Sequence, residues 1–135
     1  MNFETCLSLG NAKKTEKDVL RAKSLIKSSR QAIQTAKIIP FQETTLKTIF
    51  RELYEGLREY CEALGFICGY KFSDHESITY FLSDILKEKE ISEKFDRYRK
   101  IRNGINYYGN EINKETIGDT FKEIPKMLSA LKKYE

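Results

Sequence analysis

Arg99, Arg102, Asn103 and Asn106 fall at i, i+3, i+4 and i+7, a spacing that puts all four on one side of a helix. Two guanidiniums supply fork-shaped donors that suit a phosphate. Two asparagines add donors and acceptors, and Tyr107 follows with a phenol that does both. The stripe borders the apolar face of its helix instead of standing opposite it, so its chemistry is anion recognition at a packed edge. Gly104, next to Asn103, is costly inside a helix by about 1 kcal/mol relative to alanine. It is tolerated where a partner helix or a ligand comes close. A plainer reading of the same residues is a solvated face, with Asp96 and Lys100 making ordinary surface pairs and Asn103 marking a frayed or broken helix.

Other reactive groups are few. The chain has three cysteines and one histidine, and no CxxC pair, so neither a metal nor a cofactor site is expected. An odd cysteine count without a small-domain framework argues against a secreted disulfide protein. Cys61 and Cys68 lie seven apart on an apolar helical face and are expected as buried thiols. His75 falls in the first turn of a short helix, where a structural or surface role is expected.

The elements that must carry the stripe read as helices nearly throughout, with no strand-like alternation. A first helix is expected from Thr15 to Ile38, opened by a Thr15-x-x-Asp18 capping box and ended by Pro40. Val19, Ala22, Ile26, Ser29, Ile33 and Ala36 recur on one side of it. Several are small, which lets a neighbour approach closely. A second helix spans Gln42 to Gly69, with Leu46, Ile49, Phe50, Leu53, Leu57, Cys61, Leu64 and Cys68 in register. So long an apolar face makes these two helices an antiparallel hairpin at the heart of the core, with Gly65 and Gly69 marking a fraying end.

A short third helix opens on the capping box Ser73-Asp-His-Glu76 and buries Ile78, Phe81, Leu82 and Ile85. The fourth runs from Ser92 to Gly109, its apolar side carrying Phe95, Tyr98, Ile101, Ile105, Tyr108 and, just past its end, Ile112. The fifth begins near Asn113 and keeps one face (Ile117, Phe121, Ile124, Leu128, Leu131) across Pro125, so a kink is expected there and not a break. The expected fold class is all-α: an up-and-down bundle of four to five helices with a long antiparallel hairpin of the first two, as one domain over residues 1–135.

Composition agrees with that reading. Of 135 residues, 40% are hydrophobic and 33% charged, a water-soluble balance and not a disordered one. A net charge of +4 permits an anionic ligand without by itself indicating nucleic acid. No stretch approaches the roughly 18 apolar residues of a membrane span, and the segment MNFETCLSLGNAKK has no signal-peptide core. The expected location is the cytoplasm, with no membrane partner.

The stretch Phe95-Asp-Arg-Tyr-Arg-Lys-Ile-Arg-Asn-Gly-Ile-Asn-Tyr-Tyr-Gly109 resembles the fourth-helix signature of HEPN domains, the higher eukaryotes and prokaryotes nucleotide-binding domains. Ser73-Asp-His-Glu-Ser-Ile78 resembles the start of the short third helix in the same family, and the long hairpin and final helix also fit. The resemblance implies a bundle of four or five helices, commonly dimeric, with a cleft at the dimer interface lined by the fourth-helix motif. Many members are metal-independent endoribonucleases of toxin–antitoxin modules. Others are non-catalytic partners of a small nucleotidyltransferase.

In the catalytic branch an arginine, usually followed by a polar residue, precedes a histidine by four to six intervening residues. Arg102-Asn103 matches the start of that motif, but the positions for the histidine hold Tyr107, Tyr108 and Gly109. Counted from Arg99, they hold Gly104, Ile105 and Asn106. Metal-free RNA cleavage needs one group to take the 2′-hydroxyl proton and another to steady the phosphorane charge. Arg99 and Arg102 suit the second task. A phenol, with an ordinary pKa of about 10, suits the first poorly.

Three functions follow from this reading. The leading one is a dimeric, non-catalytic module in which Arg99, Arg102, Asn103 and Asn106 bind a nucleotide, an RNA phosphate or a nucleotidyltransferase partner. The alternative is a toxin-type endoribonuclease with Arg102 and Tyr107 as its altered catalytic pair. The third is a helical scaffold whose stripe only makes hydrogen bonds between subunits. Eight tyrosines and eight phenylalanines, with Tyr98, Tyr107 and Tyr108 close together, are consistent with a homodimer.

Overall fold

Ser29 of the first long helix sits against Gly56 of the second, its Oγ donating to the Gly56 carbonyl at 2.5 Å. A Cβ added at Gly56 would lie 2.7 Å from Ile33 Cδ1 and 3.1 Å from the Ser29 carbonyl oxygen. Small residues on facing sides thus let two backbones approach, as the spacing of Ala22, Ser29 and Ala36 predicts. These helices are α2 (Val19–Ile38) and α3 (Leu46–Cys68) of the computed structural model, which describes all 135 residues. Arg21 near the start of α2 lies over the Phe66 ring near the end of α3, so the two run antiparallel.

The chain is mostly helical, with six α-helices and one two-stranded ribbon. Besides α2 and α3 the helices are α1 (Phe3–Leu9), α4 (Glu76–Tyr80), α5 (Lys89–Tyr108) and α6 (Lys114–Leu131). One apolar core of 30 buried residues draws on all six, from Phe3 of α1 to Leu131 of α6. Its centre is α3, where Ile49, Phe50, Leu53, Leu57, Cys61 and Leu64 are all buried.

The all-α expectation is corrected at one place. Strands β1 (Ala12–Lys14) and β2 (Tyr70–Phe72) pair antiparallel, Ala12 opposite Phe72 and Lys14 opposite Tyr70. Gly69 makes this possible: at φ 89° it closes α3 in the left-handed region and turns the chain back. Gly65 is not at a frayed end but under Phe72, whose ring a Cβ there would meet at 2.5 Å. Helix α1, also unanticipated, packs Phe3 on the ribbon, its ring 5.0 Å from Tyr70 and 5.9 Å from Phe81.

Several helix ends also differ from expectation. Asp18, not Thr15, caps α2, accepting from the Arg21 amide at 3.0 Å, because the Thr15 amide donates to the Gly69 carbonyl beside the ribbon. This leaves Val19 exposed at the first turn. Helix α3 begins at Leu46 after a 3-10 turn over Glu43–Thr45. In the third predicted helix the chain widens into a π-turn over Phe81–Ile85. The extra residue in that turn rotates Ile85 outward and puts Leu86 in the core instead. Helix α6 continues through Pro125 with Ile124 and Met127 buried on either side.

Candidate anion-binding cleft

Two elements build the cleft, and the core fixes both. Helix α5 is anchored by Phe95 and Tyr98, buried against Tyr54 and Phe50 of α3 at ring separations of 5.9 and 6.1 Å. Ser92 Oγ donates to the Thr79 carbonyl at 2.8 Å, tying α5 to α4. The facing turn, Ser73 to Glu76, leaves the ribbon under equal restraint. The Ser73 amide donates to the Asn11 carbonyl at 2.8 Å, and Asp74 Oδ1 accepts from the Ser77 amide at 2.9 Å. Asp74 thus does the capping expected of Ser73, whose hydroxyl donates instead to the Gly10 carbonyl.

Between them lies a cleft of about 380 Å³, lined by Ser73, Asp74, His75, Glu76, Arg99, Arg102, Asn103 and Tyr107. The structure therefore brings together three of the four stripe residues named from sequence, Arg99, Arg102 and Asn103, with Tyr107 beside them. Asn106 is the exception. It is exposed, and its Oδ1 accepts from Arg51 Nε of α3 at 2.9 Å. The Asn106 carboxamide joins α5 to α3 and does not enter the cleft.

The two arginines of the cleft differ. Arg99 is held by Asp96, with Nε at 3.0 Å and Nη2 at 2.7 Å from Oδ1. Lys100 Nζ reaches the other oxygen of Asp96 at 3.1 Å. Burial pushes the Asp96 carboxyl up, but its bonds from Arg99 and Lys100 prevail and hold it below the ordinary range. Arg102 has no carboxylate partner. Its only bond is Nη1 to Asn103 Oδ1 at 3.3 Å, and its guanidinium lies between the rings of Tyr54 and Tyr107, 6.0 and 5.9 Å from their centroids. The side chain is half-buried, so this is a cation partly removed from water without a counter-charge.

His75 is the residue that sequence reasoning left out of the site. It is half-buried, not a surface residue, and its Nδ1 stands 3.0 Å from the Tyr54 hydroxyl. Burial, with the charges of Arg58 and Arg102 beside it, lowers its pKa to about 4. Tyr54 is fully buried on α3, and burial pushes its phenol well up. Arg58 lies behind the cleft, bonded to Glu55 and Glu62. No short-range signal in the sequence joins residues 54, 75 and 102; only the ribbon and the packing of α5 do so.

Gly104 also proves to have a local partner. A Cβ there would lie 2.6 Å from Asn110 Nδ2, and the Asn110 amide donates to the Gly104 carbonyl at 3.0 Å. Its small size admits the returning chain after Gly109, which caps α5 at φ 64°. Tyr108 is likewise not on the buried side as its spacing suggests: it is 80% exposed, and Tyr107 is 69% exposed.

A larger groove of about 830 Å³ between α5 and α6 holds Lys94, Arg97 and Tyr98, all three engaged by Glu123. Cys6 and Cys61 are buried and Cys68 half-buried, all unpaired, and burial raises each thiol above its ordinary range. No three His, Cys, Asp or Glu side chains cluster to hold a metal, and no helix is long and apolar enough to cross a membrane. Comparison of the chain with protein-family models, with curated proteins and with solved structures finds no match.

Proposed function

We propose that this chain is a HEPN-like helical module, an up-and-down bundle that binds the phosphate of a nucleotide or RNA in the cleft between α5 and the Ser73–Glu76 turn, without cleaving it. The observation that carries this reading is Arg102: a half-buried guanidinium with no carboxylate partner, opening on a polar cleft. A phosphate oxygen would complete its bonding in the bidentate geometry that guanidinium favours. Asn103 adds a carboxamide, and Arg99 contributes with its charge already met by Asp96.

The exposed Tyr107 and Tyr108 at the end of α5 support a role for that end in self-association or in docking a nucleotidyltransferase partner. Aromatic side chains bury large area at little cost in conformational freedom. In a homodimer the cleft would lie beside the interface.

The second reading, a metal-independent endoribonuclease, draws on one observation: His75 places an imidazole in the same cleft as Arg102 and Tyr107. The two readings separate in one pair of assays. Titration with adenosine 5′-monophosphate and with a short single-stranded RNA is expected to show binding that Arg102→Ala weakens at least tenfold. Incubation with RNA in chelator is expected to leave it intact. Cleavage abolished by Arg102→Ala would favour the nuclease, and absence of binding to either probe would remove the proposal.

A further inference from the structure

The cleft holds the only histidine of the chain, and the hydrogen bond behind it determines what that histidine offers. The Tyr54 hydroxyl has a single partner, His75 Nδ1 at 3.0 Å. The charged side chains that act on this hydroxyl, Arg58, Arg99 and Arg102, are donors only. The buried phenol hydrogen therefore has one acceptor within reach, Nδ1. A neutral imidazole that accepts at Nδ1 carries its proton on Nε2. Nε2 has no partner in the protein, and His75 lines the cleft beside Arg102.

Resting on the anion-binding reading above, we propose that His75 is a fixed neutral donor of this cleft, presenting Nε2–H to an oxygen of the phosphate that Arg102 binds, and that Tyr54 sets its tautomer. Tyr54 is thereby a positioning residue. It is itself immobilised by stacking on Phe50 at 6.5 Å and by the Phe95 ring at 5.9 Å.

The surroundings agree. From α3, Tyr54, Glu55 and Arg58 face the imidazole; from α5, Arg102; within its own turn, Asp74. Burial and the two arginines outweigh the carboxylates and keep the ring neutral down to about pH 4. Asp74 is engaged by the Ser77 amide, and Glu76 is exposed at the rim. An imidazole whose outward nitrogen already bears hydrogen donates to an anion and does not remove a 2′-hydroxyl proton. The same bond that makes His75 a good ligand for phosphate makes it a poor base, which deepens the non-catalytic reading and gives it an atomic cause.

A single histidine allows a direct test on the full chain labelled with ¹⁵N. Long-range ¹H–¹⁵N spectra are expected to show the Nε2–H tautomer and a titration midpoint near 4. Tyr54→Phe is expected to give a mixture of tautomers and to raise the midpoint. Adenosine 5′-monophosphate is expected to shift the Nε2 resonance. His75→Ala should weaken its binding about tenfold, while His75→Gln, which keeps a donor near the Nε2 position, should stay within about threefold of wild type.

An Nδ1–H tautomer, or a midpoint near the ordinary 6.5, would overturn the proposal. So would binding equally unaffected by His75→Ala and His75→Gln while Arg102→Ala abolishes it; the anion-binding reading would then survive alone. Failure of the wild-type chain to bind adenosine 5′-monophosphate or RNA would remove both. Thermal melts of each variant separate loss of the site from loss of the fold.

Discussion

Helix α5 carries arginines on two of its sides, and they have opposite surroundings. Toward α6, Arg97 is bonded to Glu123, which also holds the Tyr98 hydroxyl and approaches Lys94 at 3.6 Å. Burial pushes the Glu123 carboxyl up, but the Tyr98 bond and the Arg97 and Lys94 charges prevail and hold it below its ordinary range. Toward the Ser73–Glu76 turn, Arg102 meets two tyrosine rings, an asparagine and a neutral histidine. The first arrangement is self-satisfied and belongs to the fold. The second leaves a guanidinium without a carboxylate partner, in a cleft that Asp74 and Glu76 also line. Both sides carry an arginine at helical spacing, and the partners brought by other elements leave Arg97 paired and Arg102 unpaired.

Charge reversal sharpens this contrast most. Arg102→Glu places a carboxylate where the anion would sit and is expected to weaken nucleotide binding by more than about a hundredfold, measured by calorimetric titration. On the other side of the helix, Tyr98→Phe removes the buried hydroxyl bonded to Glu123. It is expected to cost about 1 kcal/mol of stability in urea melts and to leave binding unchanged. Arg99→Ala is expected to change affinity by less than about threefold, since Asp96 already meets its charge. An effect as large as that of Arg102→Ala would erase the distinction between paired and unpaired arginines.

A further expected effect is in pH. The folded-state pKa of His75 lies near 4 against about 6.5 for an ordinary histidine. Between those values the unfolded chain binds a proton that the folded chain does not, so stability falls as pH drops from 6.5 toward 4. His75→Gln is expected to flatten that part of the profile in urea melts at pH 7, 5.5 and 4.5. The carboxylates Asp96 and Glu123, both lowered, act in the same direction at lower pH and are common to both proteins, so the difference between the two profiles isolates the histidine.

The helices were legible because their apolar residues repeat every three or four positions. The face read along α3 is the buried one from Leu46 to Leu64. The ribbon was not, since three-residue strands are too short to show alternation. Four of the five polar side chains read along α5 do meet in one cleft. Asn106 left it because its carboxamide accepts from Arg51 of α3, a partner that helical spacing along α5 does not reveal. His75 was illegible for a different reason: its position depends on Gly69, on the β1–β2 pairing and on Tyr54, contacts between residues far apart in sequence, while its local setting is only a capping turn.

The central claim is that the unpaired arginine of α5 carries phosphate binding and that the paired ones add little. Its most direct test is parallel titration of wild type, Arg97→Ala and Arg102→Ala with adenosine 5′-monophosphate and a short single-stranded RNA. The account predicts that wild type and Arg97→Ala bind alike, and that Arg102→Ala loses at least tenfold. Equal losses in the two variants, or no binding by wild type, would contradict it.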